Sequence, residues 1–192
     1  MKRISTTISL FLLGMAHASA AEPELEALKQ EAAGITKTFA GGLSENMQAA
    51  MKAGGPVSAI TTCSEIAPRI AGELSREHGV KLTRVGTRVR NPMLGTPDAW
   101  EQTVLAQFQQ KLNEVAAMDQ LVHAEIVYEP GGKYFRFMKA IGVQPQCLQC
   151  HGGDKDIPDE VKASLKAQHP HDKATGYKAG ELRGAVTIKK QL

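Results

Sequence analysis

The chain has 192 residues, 42% hydrophobic and 22% charged, and its 23 basic and 20 acidic side chains give a net charge of +3. A chain of this length and apolar content suits one domain with its own hydrophobic core. The small net charge gives no reason to expect binding to nucleic acid or to an anionic membrane.

The first 20 residues have the features of a secretory signal peptide. Lys2 and Arg3 form a basic start, residues 8–15 supply an apolar run too short to span a bilayer, and residues 18–20 match an A-x-A cleavage site. Cleavage would leave residues 21–192 as a single domain with a net charge of +1, because the signal carries two basic side chains and no acidic ones. We therefore expect a periplasmic or otherwise exported protein that is not held in the membrane. An uncleaved membrane anchor is the alternative.

Two helices are expected next. Apolar residues recur at three- and four-residue steps over residues 24–52, which is typical of an amphipathic helix. Gly54-Gly55 should break the chain, and Pro56 suits the first turn of a second helix. That helix is expected to end near His78, before Gly79.

A strand and a third helix are predicted in the middle of the chain. Side chains alternate over residues 80–90, as in a half-buried strand. Asp98 and Glu101 have the spacing of a helix N-cap and its N3 partner, and an apolar stripe continues to about Val115.

The second half of the chain is expected to be mainly β. Strands are predicted over residues 121–129 and 133–142, joined by a Pro-Gly-Gly turn that is typical of a hairpin. A short helix over residues 158–167 and a second hairpin over residues 175–188 follow. The predicted fold class is α+β, with two N-terminal helices and an antiparallel sheet of four or five strands that has helices packed against it.

A C-x-x-C-H motif occurs at Cys147, Cys150 and His151. This is the attachment pattern of a c-type haem, in which both thiols form thioethers with the porphyrin vinyl groups and the histidine binds the iron. Export agrees with this interpretation, because c-type haem is attached outside the cytoplasm. We expect one covalently bound haem c.

The motif has two alternative interpretations. One is a redox disulfide, but thioredoxin-like sites lie at a strand-to-helix turn, whereas this motif is predicted to lie in a loop between Pro145 and Gly152. The other is structural zinc, which usually needs four ligands. The sequence has neither a second C-x-x-C nor a suitably spaced histidine pair.

The iron of such a haem needs a second axial ligand. Cys63 is an odd cysteine in an exported chain and lies on the apolar face of a predicted helix, where it could equally be a small buried hydrophobe. Composition leaves five other side chains open as ligands: Met93, Met118, Met138, His78 and His123.

Haem also carries carboxylates, which basic side chains should bind. Arg88 and Arg90 are the first candidates, because a guanidinium offers a carboxylate two parallel donors. The alternative is that both are solvated charges at the end of a strand.

Several stretches together resemble a family of single-haem c-type proteins of unknown function, first described in structure from a cyanobacterium. These stretches are residues 59–68, 90–92 with 100–101, 145–152, and 172–177 with 183–185. The resemblance covers nearly all of residues 21–192 and implies a PAS-like antiparallel sheet with a long N-terminal helix. It also implies an unusual Cys/His pair of axial ligands, here Cys63 and His151. His169-Pro170 departs from the Tyr-Pro that is frequent in the family.

The resemblance implies a sensor-like role, because related domains form the extracytoplasmic sensor part of bacterial signalling proteins. A thiolate ligand lowers the reduction potential, and its bond to iron should weaken on reduction and open a position for a diatomic gas. We expect a sensor of redox state or gas, or a carrier of low-potential electrons. The sequence carries no output domain, so a redox or signalling protein is the expected partner, and the first helix could pair with a second copy.

Two other functions are weighed against this one. A haem enzyme of the peroxidase or nitrite reductase type would need an open coordination position, which two protein ligands do not leave, so we do not expect an enzyme. A haem-free disulfide module is the other alternative.

Overall fold

The computed structural model describes residues 18–114 and 117–192 of the chain. The basic and apolar parts of the predicted signal peptide lie outside these residues. The helices are α1 (Ala18–Thr61), α2 (Ala67–His78), α3 (Pro92–Gly95), α4 (Ala99–Asn113), α5 (Leu148–His151) and α6 (Asp159–Gln168). The strands are β1 (Lys81–Gly86), β2 (Val122–Glu129), β3 (Gly132–Gly142) and β4 (Leu182–Gln191). Three irregular turns complete the list: a π-helical turn (Thr62–Ile66) and 3₁₀ turns at Met118–Gln120 and Pro145–Cys147. Each helix in the described ranges is too short or too polar to cross a membrane.

The N-terminal helices follow the sequence pattern with one addition. The backbone leaves helical angles at Gly54 and Gly55, as predicted, and helix resumes at Pro56. The second predicted helix ends at His78, with Gly79 in the left-handed conformation that closes it. The π-helical turn between α1 and α2 is a feature that the sequence did not predict.

The four strands form one antiparallel sheet in the order β1-β4-β3-β2, which confirms the α+β class. The hairpin between β2 and β3 is confirmed and closes at the pair Glu129 and Gly132. The likeness to a PAS domain, which the family resemblance implies, stays a prediction.

The second predicted hairpin is wrong. Within that segment the chain is extended only from residue 182 onward, as the start of β4, and β4 pairs with β1 and β3. The preceding residues bond elsewhere: the amides of Gly176 and Tyr177 donate to the carbonyls of Gly152 and His151 at 2.7 and 2.9 Å. Because these amides are already used, residues 176 and 177 cannot form the first strand of a hairpin.

The sheet has a hydrophobic cluster on each face, as strands with alternating side chains require. One face packs against α1 and α2 through the buried residues Ala32, Ile35, Phe39, Leu74, Leu82, Phe135, Phe137, Val186 and Ile188. The other packs against α4 through Val85, Val104, Leu105, Phe108, Leu121, Met138, Leu182 and Ala185. Helix α4 starts at the predicted capping box of Asp98 and Glu101.

A buried guanidinium links α4 to the sheet. The side chain of Arg136 is only 2% exposed, and it donates to Asp98 at 2.7 Å and to Glu129 at 2.8 Å. Glu101 lies 3.4 Å away and accepts a bond from Thr187 at 2.8 Å. The charge is thus buried among carboxylates that neutralise it.

We expect Arg136→Met to lower the free energy of unfolding by about 3 kcal/mol, because it leaves carboxylates in a partly buried position without their cation. Urea denaturation followed by circular dichroism measures this loss. Arg69→Met is the matched control, since Arg69 and Glu73 form an exposed pair on α2. The control should cost less than about 0.5 kcal/mol, and equal losses in the two variants would contradict the prediction.

Candidate functional site

The C-x-x-C-H motif lies on two successive helical turns and not in the open loop that the sequence predicted. The 3₁₀ turn ends at Cys147, and α5 runs from Leu148 to His151. Gly152 is buried directly after the histidine, and its amide donates to the carbonyl of Leu148 at 2.8 Å. A β-carbon at Gly152 would lie 2.6 Å from that oxygen, so only glycine allows so tight a turn here.

The two thiols of the motif are half-buried and point to separate apolar clusters. Cys150 packs with Ile60, Ile157, Val161 and Leu165, and Cys147 packs with Val143, Ala174 and Tyr177. Both thiols are free, as is that of Cys63. Burial raises the pKa of the Cys150 thiol, the charges of Cys63 and Cys147 raise it further, and Arg90 acts in the opposite direction. Apolar surroundings of this kind suit the vinyl edge of a porphyrin.

His151 is held as a neutral imidazole. Its Nδ1 lies 2.6 Å from the carbonyl oxygen of Ala174, and because a carbonyl can only accept, Nδ1 must carry the proton. Burial lowers the pKa of His151 to about 3, and the charges of Arg90, Arg183 and Arg84 act in the same direction. Nε2 therefore keeps its lone pair, which is the form in which histidine binds a metal.

A strap made of residues 172–177 fixes the histidine. Asp172 accepts a bond from the Ala174 amide at 2.7 Å and pairs with Nε of Arg90 at 2.9 Å. Arg90 also donates to the carbonyl of Cys150. The Tyr177 ring meets the His151 ring edge-on, with the ring centres 6.2 Å apart. The strap thus connects the segment that follows β1, the motif and the imidazole in one network, which spacing alone did not reveal.

Cys63 lies in the π-helical turn, close to the motif. It is half-buried. Burial raises the pKa of Cys150 and lowers that of Arg84, and a negative charge on Cys63 would act upward on both. The extra residue of a π-turn changes the direction in which a helical side chain points, and such turns are frequent at functional sites. The structure therefore brings Cys63 into the neighbourhood of the C-x-x-C-H motif. Its role as an axial ligand stays a prediction.

The competing ligands lie elsewhere. Met138 and Met118 belong to the cluster on the α4 face of the sheet. His123 lies on that face as well, 3.1 Å from a carboxylate oxygen of Glu125. Met93 is 90% exposed on α3. His78 ends α2 and is half-buried there.

Arg88 and Arg90, the predicted partners of the haem carboxylates, both hold carboxylates of the chain itself. Arg88 pairs with Glu181 at 2.9 Å and stacks over the Tyr177 ring at 3.6 Å. Arg90 pairs with Asp172, and both side chains of this pair are 10% exposed. Their binding to haem stays a prediction, but each has a role in the site without it.

A bare metal site has no support in the described ranges, 18–114 and 117–192. They contain no group of three or more His, Cys, Asp or Glu side chains arranged to hold an ion.

The comparisons with known proteins give the family. The model of the Tll0287-like family matches residues 18–190. The chain belongs to this Tll0287-like family. Among solved structures, it is similar to the crystal structure of the cyanobacterial haem protein Tll0287, with a TM-score of 0.63, 19% identity, and coverage of 85% of this chain and 93% of that one. At this identity the match shows the fold. No curated protein sequence matches the chain.

Proposed function

We propose that this member of the Tll0287-like family is an exported protein carrying one covalently bound haem c. In this proposal it senses redox state or a small gas, or passes low-potential electrons, and acts through a redox or signalling protein. The observation that carries the proposal is the geometry of the C-x-x-C-H motif, in which His151 is a neutral imidazole with a free Nε2 beside two free thiols. That a family relative is a haem protein supports it.

The residues present fit a haem. The thiols of Cys147 and Cys150 would form the thioethers, and each already lies against apolar side chains that suit the porphyrin. His151 would be one iron ligand and the thiolate of Cys63 the other. Haem, when bound, supplies a one-electron couple whose potential the ligands set. The chain's own contribution is to hold the imidazole through the strap and to supply an anionic sulfur from the π-turn.

The test is production of the full chain in cells that have a cytochrome c maturation system. We expect the purified protein to gain the mass of one haem, to give a pyridine haemochrome spectrum of the c type, and to keep its colour after acid-acetone extraction. Thioether bonds survive this treatment, whereas ligand bonds alone do not. Colour that extracts fully into the solvent, or a chain that never gains haem, would contradict the proposal.

The same preparation separates the other functions. Rapid turnover of peroxide would indicate an enzyme, which needs an iron position that no protein ligand occupies. A colourless protein with a disulfide between Cys147 and Cys150 would indicate the haem-free module. Redox cycling without turnover is the result expected for a sensor or an electron carrier.

A further inference from the structure

Two arginines near the motif lack a carboxylate partner. Arg84 and Arg183 are half-buried, and neither guanidinium forms an ion pair with the residues that the structure describes. Nε of Arg183 is buried and has no hydrogen-bond partner among them, while its Nη1 donates to the carbonyl of Arg88 at 3.0 Å. A guanidinium withdrawn from water without a counter-charge is unfavourable, so an anionic ligand at this place would stabilise the protein.

The two guanidinium groups occupy the same face of the sheet. Arg84 and Gly86 are two residues apart on β1 and therefore share a face. A β-carbon at Gly86 would lie 2.6 Å from Nη1 of Arg183, so the guanidinium of Arg183 crosses directly over this glycine. The guanidinium of Arg84 lies 5.8 Å from the ring centre of Phe39 on α1. Arg84 thus lies between β1 and α1, and Arg183 lies over the end of β1.

This pair of cations lies in the neighbourhood of the candidate iron ligand. The charges of Arg84 and Arg183 both act on His151. The guanidinium of Arg183 lies 5.4 Å from the ring centre of Tyr177, which packs edge-on against the imidazole. The Arg84 charge is also close enough to Cys63 for the two to interact. Arg183 therefore lies beside the aromatic ring that contacts His151, and Arg84 lies on the same face of the sheet.

We propose that Arg84 and Arg183 bind the two carboxylates of the haem, an inference that rests on the proposed function. A haem carries its two carboxylates on the edge opposite the vinyl groups, so the groups that bind them should be distinct from those that hold the thioether loop. Arg90 holds that loop through Cys150 and Asp172. Arg84 and Arg183 supply two guanidinium groups for two anions, and guanidinium is the side chain whose paired donors match a carboxylate.

The test uses the ferric and ferrous holoprotein. We expect Arg84→Met and Arg183→Met each to lower the reduction potential, because a lost cation favours the more positive ferric state. Each should also shift the carboxylate bending bands in the resonance Raman spectrum. Arg84→Lys should keep most of the potential but still shift the bands, since it retains the charge and loses the paired donors. Lys29→Met, which removes a charge from the exposed Lys29–Glu26 pair on α1, is the control.

The outcomes separate this inference from the proposed function. A protein that never gains covalent haem would contradict the proposed function itself. If haem is attached normally while Arg84→Met and Arg183→Met have the same reduction potential and Raman bands as Lys29→Met, this result overturns only the inference. A shift of the bands in Arg88→Met, with none in the other two, would also overturn it and assign the carboxylates to the residue that the sequence favoured. If Arg183→Met does not accumulate, Arg84→Met and its lysine variant decide the question.

Discussion

Cys63→Ala is expected to change the ferric EPR and visible spectra from those of a six-coordinate low-spin haem to those of a five-coordinate or water-ligated one. Burial normally raises the pKa of a thiol, but a bond to ferric iron supplies the positive charge that deprotonates the sulfur. Alanine removes this anionic ligand. The reduction potential should therefore rise by on the order of 0.1 V, within the range of about 0.8 V over which axial ligands tune haem. Imidazole and CO should bind faster.

Two further variants test the assignment of Cys63 as an axial ligand. Cys63→Met is expected to restore six-coordination at a still higher potential, because a neutral thioether favours ferrous iron. His123→Ala is the control, since His123 lies on the α4 face beside Trp100 and Glu125, away from the motif. An EPR spectrum that is the same in Cys63→Ala and in the parent protein would falsify the assignment.

Arg90→Met is expected to destabilise the protein by about 3–5 kcal/mol, the usual cost of breaking one half of a buried ion pair. Arg90 and Asp172 are both 10% exposed, and the substitution would leave Asp172 as an unpaired buried charge. Asp172 also holds the amide of Ala174, whose carbonyl accepts the bond from His151. Loss of the pair should therefore loosen the histidine as well, and urea unfolding of the holoprotein with the haem absorbance as a second probe measures both effects.

Arg88→Met is the matched comparison for Arg90→Met. Its ion pair with Glu181 is 39% and 43% exposed, so the variant should cost only about 1 kcal/mol from the ion pair and the contact with Tyr177. The double variant Arg90→Met with Asp172→Leu should recover part of the loss, because it leaves no buried charge behind. Equal losses of stability from Arg88→Met and Arg90→Met would contradict the prediction that Arg90 holds the strap through a buried ion pair.

Local features of the fold were predictable because they depend on local chemistry. The capping box at Asp98 starts α4, the Pro-Gly turn joins β2 to β3, and Gly79 ends α2, each through a backbone requirement that a few neighbouring residues meet. The C-x-x-C-H motif is of the same kind, because thioether attachment and iron binding need only these residue types at this spacing. The sequence by itself also indicated Cys63 as a candidate iron ligand, because it is the cysteine outside the motif.

Other features depended on partners that are distant in the chain. The segment before β4 looks like a strand, but its amides bond to the turn around His151. The amide of Tyr177 donates at 2.9 Å to the carbonyl of His151, which is 26 residues earlier in the chain. In the sequence, Arg88 and Arg90 look like basic side chains without a partner. Their partners, Glu181 and Asp172, are distant in the sequence and come close only in the folded chain.

The sequence thus determined the α+β class, the helix ends and the candidate attachment motif. The tertiary structure decided which arginines already have counter-charges, and it left Arg84 and Arg183 without a carboxylate among the described residues. Whether a charge is neutralised depends on the side chains that folding brings beside it. Residues that are far apart in the sequence meet only when the chain folds, so their spacing in the sequence carries no record of the contact.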